Sequence, residues 1–260
     1  MSNLLKEERQ QIIIRALQEN KRITVQELSQ RFGTSEVTIR RDLQELASAG
    51  LLRRAHRGAI IATPAPPEPP VVQRMSIEEV CKESIARAAA DLISDGDSIF
   101  IGSGSTTSYL VRFLAGRKNL TVVTNALNIA IDLAILTGSI ATVVTGGVVR
   151  PAELSLLGHL TESTLSEVHV SKVFMGMQAI SLEGGWSTDH LPEVATTRRI
   201  IDMAPELVVL ADHTKFGKKA AAYIAAVNRI SIVVTDSRTD PEILAHLEET
   251  GVRVIIADVR

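Results

Sequence analysis

Thr34-Ser35-Glu36-Val37-Thr38-Ile39-Arg40-Arg41-Asp42-Leu43-Gln44-Glu45-Leu46 is the stretch on which the reading of this 260-residue chain turns. As a helix it sets Ile39, Leu43 and Leu46 at i, i+4 and i+7 on one apolar face. Thr34 or Ser35 can cap its first turn by accepting a hydrogen bond from an unpaired backbone N–H. Ser35, Val37, Thr38, Arg40, Arg41 and Gln44 then lie off the stripe. That outward face combines cations, which hold phosphate, with short polar and methyl-bearing groups that suit base edges. Taken alone, the stretch fits a solvated amphipathic helix equally well, and its flanks decide between the two.

Upstream, residues 8–19 read as a helix with Ile12, Ile13, Ala16 and Leu17 on its buried side. Thr24 and Glu27 have the spacing of a capping box at the start of a second helix, with Leu28 and Phe32 pointing inward. Gly33 ends that helix where a left-handed residue is needed. Two short helices joined by such a turn form a helix-turn-helix, whose second helix enters the major groove. Downstream, residues 51–61 read as two short strands around a basic turn, a wing in which Arg53, Arg54, His56 and Arg57 can grip phosphates or a minor groove. The competing reading of that run is a solvated charge cluster closing a small sheet. Residues 1–63 carry 11 Lys+Arg against 7 Asp+Glu, whereas the remainder carries 17 against 23. A basic head on an acidic body suits an anionic partner at the head.

Ser35-x-x-Thr38-Ile39-Arg40-Arg41-Asp42-Leu43, followed by Gly50-x-x-x-Arg54-x-His56-x-Gly58, resembles the winged N-terminal domain of the DeoR/GlpR family of bacterial transcriptional regulators. The resemblance implies double-stranded operator DNA as partner. That family usually has His-Gly-Gly at the wing tip, whereas His56-Arg57-Gly58 here adds a cation and removes backbone freedom.

High apolar content (45%) with few aromatics (3%) suits an aliphatic α/β core. Cys81 is the only cysteine, so one chain can form neither an internal disulfide nor a cysteine-based metal cluster. No stretch is apolar for long enough to span a membrane, and a cytoplasmic protein is the expectation. Pro64, Pro66, Pro67, Pro69 and Pro70 mark residues 63–74 as a semi-rigid polyproline II spacer between domains at 1–62 and 75–260. A PxxP recognition motif is the weaker alternative.

Beyond the prolines, helices alternate with short apolar strands. A helix over 77–94, with Val80, Ile85, Ala88, Ala89 and Leu92 inside, precedes a strand at 97–101 and a helix at 107–114. Strands follow at 120–124, 140–145, 172–178, 207–211, 231–235 and 252–256, and further helices reach 136, 203 and 249. Such alternation predicts a mostly parallel sheet with helices on both faces. The fold class is therefore α/β: a small winged helix-turn-helix domain joined to a larger, mostly parallel domain.

Ligands in open sheets collect at the carboxyl ends of strands. Gly102-Ser103-Gly104-Ser105-Thr106-Thr107 sits between a strand and a helix, where its glycines, amides and hydroxyls suit phosphate; its plainer reading is a tight turn. It lacks the Gly-Lys-Ser/Thr ending of a P-loop and the third glycine of a dinucleotide fingerprint. Asn125 can bond a ligand hydroxyl or cap a helix. Gly146 and Gly147 with Arg150 can approach an anion or simply turn the chain. Asp189, His190 and Glu193 lie before a helix, within reach of a sugar. Lys215 is either a second cation for the site or an exposed loop lysine. Asp189, His190, Asp212 and His213 lack metal-ligand spacing, and no metal is expected.

Asp95-Gly96-Asp97 running into this loop, Thr124-Asn125, Thr145-Gly146-Gly147, Lys172-x-Phe174-x-Gly176 and Ala211-Asp212-x-x-Lys215-Phe216 resemble the same family's C-terminal sensor domain. That sensor in turn resembles ribose-5-phosphate isomerase and the related sugar-phosphate deaminases. The resemblance implies a repressor of a carbohydrate operon, relieved by a phosphorylated sugar acting as effector rather than cofactor. The phosphate would sit at Ser103 to Thr107, with Asn125, Glu193 and Lys215 contacting the sugar or completing the pocket. A sugar-phosphate isomerase-like enzyme carrying a DNA-binding head is the alternative. Isomerisation needs a base beside the carbonyl and groups that stabilise an enediolate. The comparable strand carries Gln178 instead of a carboxylate, and no Lys-Gly-Gly-Gly loop follows, so no catalytic residue is assigned. Symmetric operators predict a homodimer or homotetramer.

Overall fold

A computed structural model of the chain describes residues 6, 9, 10, 12, 13, 16, 22–48, 52–55, 58–61, 69–136 and 140–259, and for 22, 47, 48, 52–55 and 59–61 the backbone alone. It divides into two units, Met1–Glu68 and Pro69–Arg260.

In the first unit Thr24 begins helix α1 (Val25–Phe32) with both bonds of a capping box. Its Oγ1 accepts from the Glu27 N–H (3.2 Å), and the Glu27 carboxylate accepts from the Thr24 N–H (2.8 Å). Gly33, at φ +60°, ends the helix and leads to α2 (Glu36–Ser48). Residues 6, 9, 10, 12, 13 and 16 are helical, while the rest of the expected first helix, Leu17 included, lies outside the described residues. Ile13, Ala16, Leu28, Ile39, Leu43 and Leu46 share one core with Ile23 and Val25. Each such fully buried aliphatic contributes about 1.5–3 kcal/mol. Three strands, β1 (Arg22–Thr24), β2 (Leu52–Ala55) and β3 (Gly58–Ile61), pair antiparallel in the order β1-β3-β2. A Cβ on Gly58 would fall 2.0 Å from the Ile23 carbonyl oxygen, so only glycine lets the wing lie on β1.

The second unit is built on seven parallel strands: β4 (Ser98–Ile101), β5 (Leu120–Thr124), β6 (Ile140–Val144), β9 (Lys172–Gly176), β12 (Glu206–Leu210), β14 (Ile232–Asp236) and β15 (Arg253–Ala257). They lie in the order β15-β14-β12-β9-β4-β5-β6. Successive side chains alternate between faces. Ile99 and Ile101 join Val122 and Val208 beneath α4 (Glu79–Ala90), α5 (Ser105–Leu110) and α6 (Leu127–Ile135). Phe100, Val173 and Val209 pack on the other side with α7 (His159–Ser166), α8 (Val194–Asp202) and α9 (Pro241–Glu249). Among the described residues no helix is long and apolar enough to cross a membrane.

Four local expectations change. The 63–74 spacer is too long, because Val71–Met75 form a helix, α3, with Val71 and Arg74 buried; Pro69 to Arg74 therefore belong to the second unit. The helix expected at 77–94 starts at Glu79, after Glu78 in a left-handed conformation (φ +52°). That phase exposes Val80 and buries Cys81 and Lys82. The helix expected at 107–114 starts two residues earlier and tightens to a 3-10 turn over Val111–Phe113. Finally, stretches without periodic apolar residues form small antiparallel additions: the hairpin β7 (Val148–Arg150) and β8 (Ser155–Leu157), and a sheet of β10 (Ala179–Ser181), β11 (Gly185–Thr188) and β13 (Ala222–Ala225). Trp186, the single tryptophan, is buried in β11 at a register shift.

Candidate functional site

Ser35 caps α2, its Oγ accepting from the Thr38 N–H (3.2 Å) while the two hydroxyls lie 2.9 Å apart. Val37 is 76% exposed on the first turn, an unusual place for a bare aliphatic but a suitable one for a thymine methyl. Arg40, Arg41 and Gln44 are exposed on the same helix. Arg40 pairs with Glu36 (3.1 Å) and Arg41 with Glu45 (3.8 Å), both at the surface. Such pairs are worth little, so both guanidiniums can exchange a carboxylate for a phosphate. Below this face Asp42 is buried and takes a 2.5 Å bond from Arg9, which ties the first helix to α2. Hydrogen bonding to Asp42 holds the Arg9 pKa above its ordinary value. Arg54 lies in β2 with only its backbone described, and His56 and Arg57 lie outside the described residues.

Counted in chain order, the strands of the large sheet run 7-6-5-4-1-2-3, and the direction of winding reverses between β4 and β9. In open α/β sheets ligands collect at such a reversal, beyond the carboxyl ends of the two strands. Here the loop Gly102 to Thr107 leaves β4 beside Gly176 at the end of β9. A Cβ on Gly102 would strike the Met175 sulfur at 2.1 Å, and one on Gly104 (φ +151°) would face the Gly176 Cα at 3.7 Å. The Gly104 carbonyl accepts from Thr107 Oγ1 (3.0 Å) and Ser108 Oγ (2.7 Å). The first-turn amides of Ser105, Thr106 and Thr107 have no intrahelical acceptor, and they turn the loop into a cluster of donors.

Asn125, buried after β5, joins this loop: its Oδ1 accepts from the Ser103 N–H (3.3 Å). Its Nδ2 donates to the Leu156 carbonyl (3.2 Å). Nearby, Thr145 Oγ1, Ser155 Oγ and Asn128 Oδ1 are buried without a protein hydrogen-bond partner, an arrangement that folded chains rarely leave unfilled.

Arg150 forms an ion pair with Glu193, whose other carboxylate oxygen accepts from Thr188 Oγ1 (2.5 Å). Burial, and then the charge of Arg150, lower the His190 pKa, with Glu193 opposing. Gln178 is tied to Asp189 in both directions, accepting from its N–H (2.8 Å) and donating to its carboxylate (2.7 Å). Gly146 accepts from Thr161 Oγ1 (2.6 Å). Gly147, at φ +133°, is required by packing, since a Cβ there would lie 2.2 Å from Thr161 Oγ1. Lys215 is half-buried in a 3-10 turn after β12, its N–H bonded to the Asp212 carbonyl (3.0 Å).

Among the described residues, two buried cations, Arg74 and Lys82, escaped the sequence reading. Lys82 Nζ donates to the carbonyls of Arg74 (2.7 Å) and Ile77, and burial lowers its pKa, with Asp212 opposing and Lys215 reinforcing. Its position one residue after Cys81, on the inward side of α4, is the signal that was available. Among the described residues, Glu78, Cys81 and His213 bring ligand-type atoms within 4.8 Å of one another. The Arg238 guanidinium lies among them, 2.7 Å from the Cys81 sulfur and 3.0 Å from Glu78, and already supplies a positive charge there.

Family models match two stretches: the DeoR-like helix-turn-helix domain over residues 9–65 and the DeoR C terminal sensor domain over 78–237. A putative aga operon transcriptional repressor of Escherichia coli is 33% identical over 96% of this chain and 93% of its own. The HTH-type transcriptional regulator GolR of Listeria innocua is 32% identical over 96% and 98%. The glycerol-3-phosphate regulon repressor of Escherichia coli is 30% identical over 86% and 88%. Among solved structures, ribose 5 phosphate isomerase A from Neisseria gonorrhoeae superposes on 56% of each chain with TM-score 0.40 at 16% identity. With a helix-turn-helix head and a parallel α/β sensor matched along nearly its whole length, the chain belongs to the DeoR family of DNA-binding transcriptional regulators.

Proposed function

We propose that this regulator represses a carbohydrate operon in the cytoplasm, and that a phosphorylated sugar in the strand-end pocket releases it from operator DNA. The observation that carries this reading is the set of unfilled polar groups around the carboxyl ends of β4 to β6. The first-turn amides of Ser105 to Thr107 suit phosphate, and the buried, unpartnered Thr145 and Ser155 hydroxyls suit sugar oxygens, which supports the reading. Asn125 links the two halves of the pocket, and Arg150, Glu193 and Lys215 supply charge at its rim. Two relatives carry names that point to an aga operon and a glycerol-3-phosphate regulon, which supports the carbohydrate class.

Release follows from differential affinity: a sugar phosphate that binds the DNA-incompetent arrangement better lowers operator occupancy by that difference. Two copies reading a symmetric operator complete the scheme. Ile131, Ile135, Val148 and Leu160, all more than half exposed on or beside the β6 edge, supply apolar surface for their contact. Sedimentation of a homodimer or homotetramer is expected, and a monomer at micromolar concentration would remove this part of the scheme. The pocket is tested by thermal shift against sugar phosphates and their unphosphorylated forms. A native-state ligand at a hundred times its Kd adds about 2.7 kcal/mol. Stabilisation by the esters alone is expected; equal shifts with the free sugars would sink the phosphate assignment.

A further inference from the structure

The hairpin β7–β8 is a two-stranded sheet of its own. An isolated hairpin is marginal in water, so its placement depends on what holds its ends and tip. Val148 and Val149 are exposed, and few of its side chains reach a core.

The segment after β5 holds the backbone beside β8: the Leu127 N–H donates to the Leu154 carbonyl (2.8 Å), and Ala126 bridges Ser155. The remaining contacts fall into two groups. On the pocket side, Arg150 pairs with Glu193, and Leu156 exchanges two bonds with Asn125. The Leu156 N–H donates to the Asn125 carbonyl (2.7 Å), and Asn125 Nδ2 donates to the Leu156 carbonyl (3.2 Å). The same Asn125 holds the Ser103 amide of the phosphate-type loop. At the tip, the Ala152 carbonyl accepts from the Val71 N–H (2.7 Å), and buried Glu153 forms an ion pair with buried Arg74. Arg74 Nε in turn donates to the Pro69 carbonyl (2.9 Å). Pro69 is where the second unit begins, and the chain before it leads to the DNA-binding head. Leu154 beside the clamp is held at φ +51°, a left-handed conformation that leucine rarely adopts.

We propose that this hairpin couples the pocket to the head: an anionic sugar that takes Arg150 or Asn125 from its present partner displaces the hairpin, and the Glu153–Arg74 clamp carries that displacement to Pro69. The coupling rests on the effector-pocket reading above. The clamp transmits movement because both charges are about nine-tenths buried. Separating them would break a buried, charge-assisted contact, so the pair travels together. Arg150–Glu193, nearer the pocket mouth, is the contact an incoming anion can replace with an equivalent one.

Amide-resolved hydrogen exchange on the full chain tests this. Glu193→Gln, without added ligand, is expected to speed exchange at both Leu156 and Val71 about tenfold, the scale of losing one charged hydrogen bond. In Glu153→Gln the Val71 amide is expected to exchange fast already, and adding Glu193→Gln should change it no further. Glu153→Asp, which keeps the charge, replaces Glu153→Gln if the latter does not fold. Faster exchange at Leu156 with Val71 unchanged, or no change at either amide, overturns the coupling. Inorganic phosphate, ribose 5-phosphate and fructose 6-phosphate are added separately to the wild type. Protection of the Ser103 to Thr107 amides reads the pocket alone, so its failure is distinguishable from failure of the coupling.

Discussion

Charge is arranged in opposite ways in the two halves of the molecule. On the DNA-reading face, Arg40 and Arg41 pair with glutamates at the surface, where water and salt compete for every contact. In the sensor, Arg74–Glu153 is largely buried and joins segments far apart in sequence. Exposed pairs can be traded for phosphates at little cost, which suits a surface that must leave DNA again. Buried pairs resist partial loosening, and an element they hold moves as a whole or not at all. Among the described residues of the head, Arg9–Asp42 is a pair of the second kind, set beneath the exposed face of α2 and tying the first helix to it.

The contrast is open to direct attack. Glu153→Ala removes the carboxylate from buried Arg74 and should cost about 3–5 kcal/mol in urea unfolding of the sensor, whereas Glu36→Ala in the head should leave stability unchanged. Equal effects would dissolve the distinction. Asp42→Ala should cost about 3 kcal/mol in the head's own transition, which would place this pair with the sensor's. Arg41→Ala should leave melting unaltered, weaken operator binding across sequences, and lower the slope of log affinity against log salt by about one. An unchanged slope would move phosphate contact away from Arg41.

The smallest effect is a pH dependence. The His190 pKa is lowered from 6.5 in the fold, so below 6.5 the unfolded chain binds more protons at this position. Stability should therefore fall as pH drops from 6.5 towards the folded value and level off below it. His190→Gln should remove that part of the slope, as read by denaturation between pH 5 and 7.5 (roughly the histidine range).

The parts legible in the sequence are those governed by periodicity and capping. Thr24 with Glu27, Gly33, and the stripe Ile39-Leu43-Leu46 each act within a few residues, and they stand where the pattern puts them. The strands at 120–124 and 232–236 are short apolar runs that the parallel sheet buries on both faces. Three-residue strands such as β7 and β8 carry no period to detect, and their pairing depends on contacts distant in sequence. Lys82 escaped for a different reason: a lysine is normally counted as outward, and the carbonyls of Arg74 and Ile77, with the charge of Asp212, make its burial tolerable. Gly147 read as either an anion approach or a turn, and only a contact distant in sequence shows that Thr161 packs where a side chain would stand. Proline density marked the boundary region without its end, since Val71 and Arg74 dock on the sensor just after Pro70.

Trp186, the chain's only tryptophan, is buried in β11, the strand that ends at Thr188, the hydroxyl partner of Glu193. The molecule thus carries a native fluorophore in the same strand as the Glu193 partner. If the proposed effector disturbs the Thr188–Glu193 contact, the emission of the unlabelled wild-type protein is expected to change on adding it, a readout that also works in the presence of DNA.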